Sequence, residues 1–277
     1  MELKLLHIFR NTLFGREVLL GSSYFCKKLG VAPVIYIPEH LKFLMYFEND
    51  VVQVDLDKSF VMAPETAKGH SMEIVRSQGL AEPNYIVPKQ FTASTLPDIP
   101  VNFNFMCCPR SITDISSKIG LGYIGPKVRR IVQSAKFPVL IASSIYKEWN
   151  SITVMFGGSM NAVKALRLGL RLRELSGLPV DVFTQERKKD RKYYENKIDK
   201  AGLLNEMEKK IRKWYVFNKG EFSENLYHVP HDSLIVIGAY GHGIIKDIIF
   251  GSTMEKVQTI MPNNLLIVGP NYSVEMR

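Results

Sequence analysis

Short apolar runs alternate with longer stretches of helical period along this chain of 277 residues. The clearest case is Ile152-Thr-Val-Met-Phe156, which ends in Gly-Gly-Ser159 and reads as a buried strand. The next eighteen residues place Val163, Leu166, Leu170 and Leu172 on one side, with Lys164, Arg167, Arg171 and Glu174 mostly elsewhere. That is the period of an amphipathic helix, and Gly177 stops it. Pro179–Thr184 is a second strand, so the unit is strand–helix–strand with a right-handed crossover. The pattern predicts strands at 152–157, 180–184, 214–218, 234–238 and 265–268. Helices are expected at 160–176, 190–201, 221–229, 243–250 and 252–261. Such alternation implies a doubly wound α/β domain with a five-stranded parallel sheet.

The first half repeats this plan. At an offset of 147, Phe9-Arg-Asn-Thr12 lies over Phe156-Gly-Gly-Ser159, and Gly30 over Gly177. At an offset of 126, Gly125–Val132 lies over Gly251–Gln258 and Val139-Leu-Ile141 over Leu265-Leu-Ile267. The difference assigns about 21 extra residues to Pro38–Asp98, where Phe47–Leu56 and Pro64–Gly79 have no counterpart. We expect two domains, 1–147 and 148–277, each a doubly wound five-stranded parallel sheet. On the ungapped alignment, Ile112, Ile115 and Pro126 stand where the second half has Gly238, Gly241 and Ser252.

Composition narrows the classes. The net charge of +9 makes an anionic partner worth considering. Residues 1–148 carry 17 basic and 13 acidic side chains, so the excess is spread rather than gathered in a nucleic-acid arm. No apolar run approaches the ~20 residues that span a bilayer. Met1-Glu2-Leu3-Lys4 is unlike a signal peptide, and Cys26, Cys107 and Cys108 do not make a disulfide framework. A cytoplasmic protein without membrane contact is expected.

Candidate chemistry gathers after the fourth strand of the second half. Leu234–Ile237 runs into Gly238-Ala-Tyr-Gly241, and Gly251-Ser252-Thr253 follows in a G-x2-G-x9-G-S pattern. Glycines there let backbone N–H groups approach a ligand, and a helix starting at Gly251 favours an anion. This constellation, from Ser233 through Gly269, strongly resembles the C-terminal signature of the universal stress protein family. The whole chain looks like that family's tandem form, with the first half degenerate.

The resemblance implies a Rossmann-like fold of the adenine nucleotide alpha-hydrolase type. In it the last strands of two domains associate as an internal pseudo-dimer, and a homodimer is left open. It further implies ATP, with Mg2+ only as carried by the nucleotide. Ile237, Gly238, Gly241, Gly251, Ser252 and Thr253 would contact the nucleotide, and Gln185 would lie near the base. The family's strand-one aspartate is Gly157 here. Losing a carboxylate hydrogen bond removes about 1.5–3 kcal/mol, or about ten- to hundred-fold in affinity.

Other motifs have plainer readings. Gly120-Leu-Gly122-Tyr-Ile-Gly125 matches a dinucleotide fingerprint but lacks the strand immediately before it. His228, His231 and His242 have no cysteine or carboxylate to complete a metal set, and Cys107-Cys108 read as packing residues. Arg187–Lys192 reads as a solvated helix face. The expected function is a stress-response sensor or adaptor whose second half binds adenine nucleotide and meets an unidentified protein partner. It has no catalytic set and no resident metal. Two alternatives stand beside it. One is a ligand-free interaction scaffold; the other is an ATP pyrophosphatase-like enzyme, with which Phe156-Gly-Gly-Ser-Met-Asn161 shares only Gly-Gly.

Overall fold

The computed structural model describes residues 2–88, 95–109, 124–143, 145–186, 189–240 and 263–273. The first half runs β1 (Lys4–Ile8), α1 (Leu13–Leu29), β2 (Ala32–Tyr36), β3 (Lys42–Phe47), β4 (Asp50–Asp55), α2 (Pro64–Ser77), β5 (Asn84–Tyr85), β6 (Asp98–Ile99), β7 (Phe105–Cys108), α3 (Pro126–Ser134) and β8 (Val139–Ile141). The second runs β9 (Ser151–Met155), α4 (Met160–Ser176), β10 (Val180–Gln185), α5 (Arg191–Lys200), α6 (Leu204–Lys210), β11 (Ile211–Phe217), α7 (Phe222–Asn225), β12 (Ser233–Gly238) and β13 (Leu265–Val268).

Ten strands form one sheet, in the order β11-β10-β9-β12-β13-β8-β7-β1-β2-β5. Where the sequence pattern predicted two five-stranded parallel sheets, the strands join in a single, mostly parallel one. Its antiparallel pair is β13 with β8, where Leu265, Leu266 and Ile267 stand opposite Ile141, Leu140 and Val139. An edge strand left alone presents a row of unpaired backbone groups; this pairing satisfies two such edges together.

Strand registers reproduce the offset of 147. His7 stands between Ile35 and Cys107, as Val154 stands between Val182 and Val236. The caps match too. Thr12 and Ser159 each accept a hydrogen bond from the backbone N–H three residues on, starting α1 and α4. Gly30 (φ 64°) and Gly177 (φ 70°) end those helices in the left-handed conformation.

Cys108 pairs with Ile141 and Ile237 with Ile267, so Pro109, not Ile112, occupies the place of Gly238. The strand ends three residues earlier than an ungapped alignment assumes, because the following segments differ in length.

Residues alternate across the sheet. On one face Leu6, Met106, Met155, Phe183, Ile235 and Ile267 join Val128 and Ile131 of α3 in one core. On the other Leu5, Cys107, Val154, Val182, Val236 and Leu266 pack with α1 and α4. Within the unplaced region, β3 and β4 form a hairpin, extended by β6 into a small second sheet. Phe43, Met45, Val52 and Val54 fill the first core from this hairpin. Asp50 fastens it to α3 by accepting from Arg130 (3.0 and 2.6 Å) and from Ser134 (2.7 Å). The helix α6 was not predicted: it is a two-turn element between Leu203 and the edge strand.

Candidate functional site

The carboxyl ends of β9, β10 and β12 meet where strand order reverses, which is where ligands bind in open α/β sheets. From β9 the chain passes through Phe156, whose N–H donates to the Phe183 carbonyl and whose own carbonyl accepts from Thr184 Oγ1 at 3.1 Å. Trp214 Nε1 donates to the same hydroxyl at 3.0 Å. These bonds fix the strand end that carries Gly157 and Gly158.

Gly158 has φ 73°, and a Cβ there would stand 3.1 Å from Tyr193 and 3.2 Å from Tyr194. Left-handed backbone and crowding aromatic rings both require glycine at this turn. Gly157 beside it is half-buried and brings no carboxylate to the site. Ser159 then caps α4, its Oγ accepting from the Ala162 N–H at 3.1 Å.

Gly238 closes β12 against that same first turn of α4. An added Cβ would lie 2.3 Å from the Asn161 carbonyl oxygen and 2.7 Å from Ala162 N. Its role among the described residues is therefore close packing of strand on helix. Asn161, buried, donates from Nδ2 to the Ala239 carbonyl at 2.5 Å and ties the strand exit to the helix. Ile237 is buried and acts through its backbone, paired with Ile267.

Gln185 ends β10 with its amide engaged on both sides. Nε2 donates to the carbonyls of Phe217 (3.2 Å) and Glu186 (3.3 Å), while Oε1 accepts from Asn225 Nδ2 at 2.7 Å. Asn225 Nδ2 also donates to the Lys219 carbonyl. Backbone carbonyls thus fix both amides, and the nitrogen and the oxygen of Gln185 are both engaged within the fold. Gly241, Gly251, Ser252 and Thr253, together with the helices expected over 243–250 and 252–261, lie outside the described residues.

Two residues were not singled out by the sequence. Asn161 gave no signal, because an asparagine in a helix's first turn is ordinary. Tyr240 has φ 58°, rare for a residue with a large side chain, and its hydroxyl donates to the Arg129 carbonyl of α3 at 2.7 Å. It anchors the start of the glycine loop to the other half of the chain, and burial pushes its phenol up to about 12. His228 lies over Phe217, ring centroids 4.8 Å apart, and His231 is exposed; His242 is outside the described residues. Among the described residues no three His, Cys, Asp or Glu side chains gather as metal ligands. Cys26, Cys107 and Cys108 are buried free thiols, and burial pushes all three up. Gly125 starts α3, as the repeat alignment had it.

No family model matches the chain. A crystal structure of a universal stress protein from Archaeoglobus fulgidus superposes with a TM-score of 0.62 at 14% identity, covering 96% of this chain and 98% of that one. The fold is that of the universal stress proteins. A putative universal stress protein from Pseudomonas aeruginosa gives 0.52 at 9% identity over 97% and 93%. In sequence, the universal stress protein Slr1230 of Synechocystis is 23% identical over 152 residues. That match spans 51% of this chain and about half the length of the relative (50%). In this universal stress protein-like chain, no helix of the described residues is long and apolar enough to cross a membrane.

Proposed function

We propose that the chain is a tandem universal stress protein, with units at 1–147 and 148–277 related as an internal pseudo-dimer. Its second unit binds ATP or a related adenine nucleotide, with Mg2+ only as carried by the nucleotide. It acts as a cytoplasmic sensor or adaptor toward a protein partner. The observation that carries this reading is the closure of Gly238 onto the first turn of α4, beside Gly157 and Gly158. It brings the N-terminus of α4 beside the end of β12, and a helix N-terminus suits phosphate.

The described residues fit a nucleotide unevenly. Backbone groups suit phosphoryl oxygens, while the Gln185 oxygen already accepts from Asn225, so a base would have to share or displace that hydrogen bond. Nothing at Gly157 replaces the family's carboxylate, so nucleoside selectivity is weak. The glycine loop would change conformation with nucleotide only if one loop state binds it more tightly.

Calorimetry with ATP on the wild type and on Gly251→Val tests the reading. Heat in the first and loss of it in the second supports it; equal heats place the ligand elsewhere. A second reading, a ligand-free scaffold, is favoured by the Asn161 and Gln185 amides being already bonded within the fold. Nucleotide released on denaturing the purified protein decides against that scaffold, and its absence with no calorimetric heat decides for it.

A further inference from the structure

The ten-stranded sheet ends in two unequal edges. β5 has two residues, Asn84 and Tyr85, too few to take up another strand. β11 has seven, Ile211–Phe217, and each of them is half-buried or exposed. A long edge strand with large apolar side chains is a template for pairing with another chain.

The pairing with β10 shows which backbone groups face outward. The Phe217 carbonyl accepts from the Glu186 N–H at 2.8 Å, so Phe217 turns its N–H and C=O into the sheet. Successive residues of a strand turn theirs to opposite sides. Trp214 and Val216 therefore face outward, and no strand lies beyond β11 to bond them. Arg212 is an extra residue, because Val180 stands opposite Ile211 and Asp181 opposite Lys213; the regular edge starts at Lys213. Side chains hold this edge in place. On one face the Arg191 guanidinium lies 5.2 Å from the Trp214 ring centroid. On the other, Lys213 Nζ stands 4.3 Å from that of Tyr215, whose ring is within 7° of parallel to Phe217. A strand already ordered in this way loses little further freedom on pairing.

Charge decides what can pair there. Residues 209–220 hold five basic side chains and no acidic one. Lys210 pairs with Glu174 and Glu206, and Arg212 with Asp181. Lys209, Lys213 and Lys219 are exposed and have no carboxylate partner among the described residues. A second copy of the chain would bring two such rows together, and like charges across paired strands are destabilising. An acidic strand turns that repulsion into attraction.

We propose that β11 is the docking edge for an extended acidic segment of a protein partner, which adds to the sheet as an eleventh strand. Its backbone bonds the outward groups of Trp214 and Val216, and its carboxylates meet Lys213 and the lysines beyond either end of the strand. The proposal does not rest on nucleotide binding.

The test is amide hydrogen exchange read by NMR on the full chain, without and with a capped seven-residue peptide alternating glutamate with valine. The same peptide with lysine for glutamate is the control. Tyr215 and Phe217 amides should be protected throughout, and those of Trp214 and Val216 only when the glutamate peptide is present. Lys213→Glu, at an exposed position, should weaken the glutamate peptide about five- to ten-fold and strengthen the lysine peptide. Val216→Pro removes an outward N–H, a change that an edge strand tolerates, and should abolish binding with the melting temperature within a few degrees of the wild type. Lys213→Glu keeps the test decisive if the proline variant does not fold. Equal binding of both peptides, no binding of the glutamate peptide, or binding without protection at Trp214 and Val216 would each overturn the proposal. Protection that appears without peptide as the protein concentration rises, with a doubled mass in sedimentation, would assign the edge to a second copy instead.

Discussion

Gly238→Ala separates a packing role from a ligand-contact role for a glycine that lies in a nucleotide-like motif. The new Cβ would fall 2.3 Å from the Asn161 carbonyl oxygen, 2.4 Å from its carbon and 2.7 Å from Ala162 N. All three are backbone atoms of the first turn of α4, so no side-chain rotation relieves them; the helix must withdraw from the strand. Overpacking of this kind costs about 1–3 kcal/mol. Loss of the Asn161–Ala239 hydrogen bond adds about 1 kcal/mol, and the stiffer unfolded chain returns about 0.4–1 kcal/mol. We expect a net loss of about 2–3 kcal/mol, read by urea unfolding followed through Trp149 and Trp214 fluorescence. Gly169→Ala is the internal comparison. Its Cβ also falls 2.3 Å from a neighbour, but that atom is Cγ2 of Val154, a side chain that can be trimmed. In a double-mutant cycle, Val154→Ala should therefore cost less in the Gly169→Ala background than alone, by about 1 kcal/mol. No trimmed side chain should rescue Gly238→Ala. Stability of Gly238→Ala within about 0.5 kcal/mol of the wild type would refute the reasoning, and ATP heat lost in such a stable variant would return Gly238 to the ligand.

Arg212 meets the fully buried Asp181 carboxylate through two hydrogen bonds, so Arg212→Met should cost about 3–5 kcal/mol by stranding that charge, measured by denaturant unfolding. His7 binds its proton more weakly folded (about 3) than unfolded (6.5), so the unfolded chain holds more protons between those values. Stability should fall as pH drops from about 6.5 toward 3, and His7→Val should lose one proton's worth of that slope in melts across the range. Hydrogen bonds from Arg130 and Ser134 hold Asp50 down at about 2. Its contribution is present above about 4 and fades as pH falls toward 2, so Asp50→Asn should destabilise at pH 6 and match the wild type near pH 2. Tyr240→Phe removes the hydrogen bond to Arg129 and should cost about 1 kcal/mol, with faster amide exchange at the start of the glycine loop.

What the sequence determined by itself is local in origin. Caps at Thr12 and Ser159, left-handed stops at Gly30 and Gly177, and the strands at 180–184, 234–238 and 265–268 follow from chain geometry within a few residues. The offset of 147 is legible because two copies of one plan keep the same local rules. The tertiary structure decided the rest, because the contacts involved join residues far apart and leave no period in the chain. The union of β8 with β13 depends on two edges finding each other across 124 or more residues. The place of the β3–β4 hairpin depends on the core it shares with α3 and the sheet. Gly238 reads as a ligand glycine in sequence and is seen to serve α4 only once strand and helix are apposed. His7 and Gln185 have ordinary neighbours along the chain; only the fold buries His7 beside Ser22 and bonds Gln185 to Asn225.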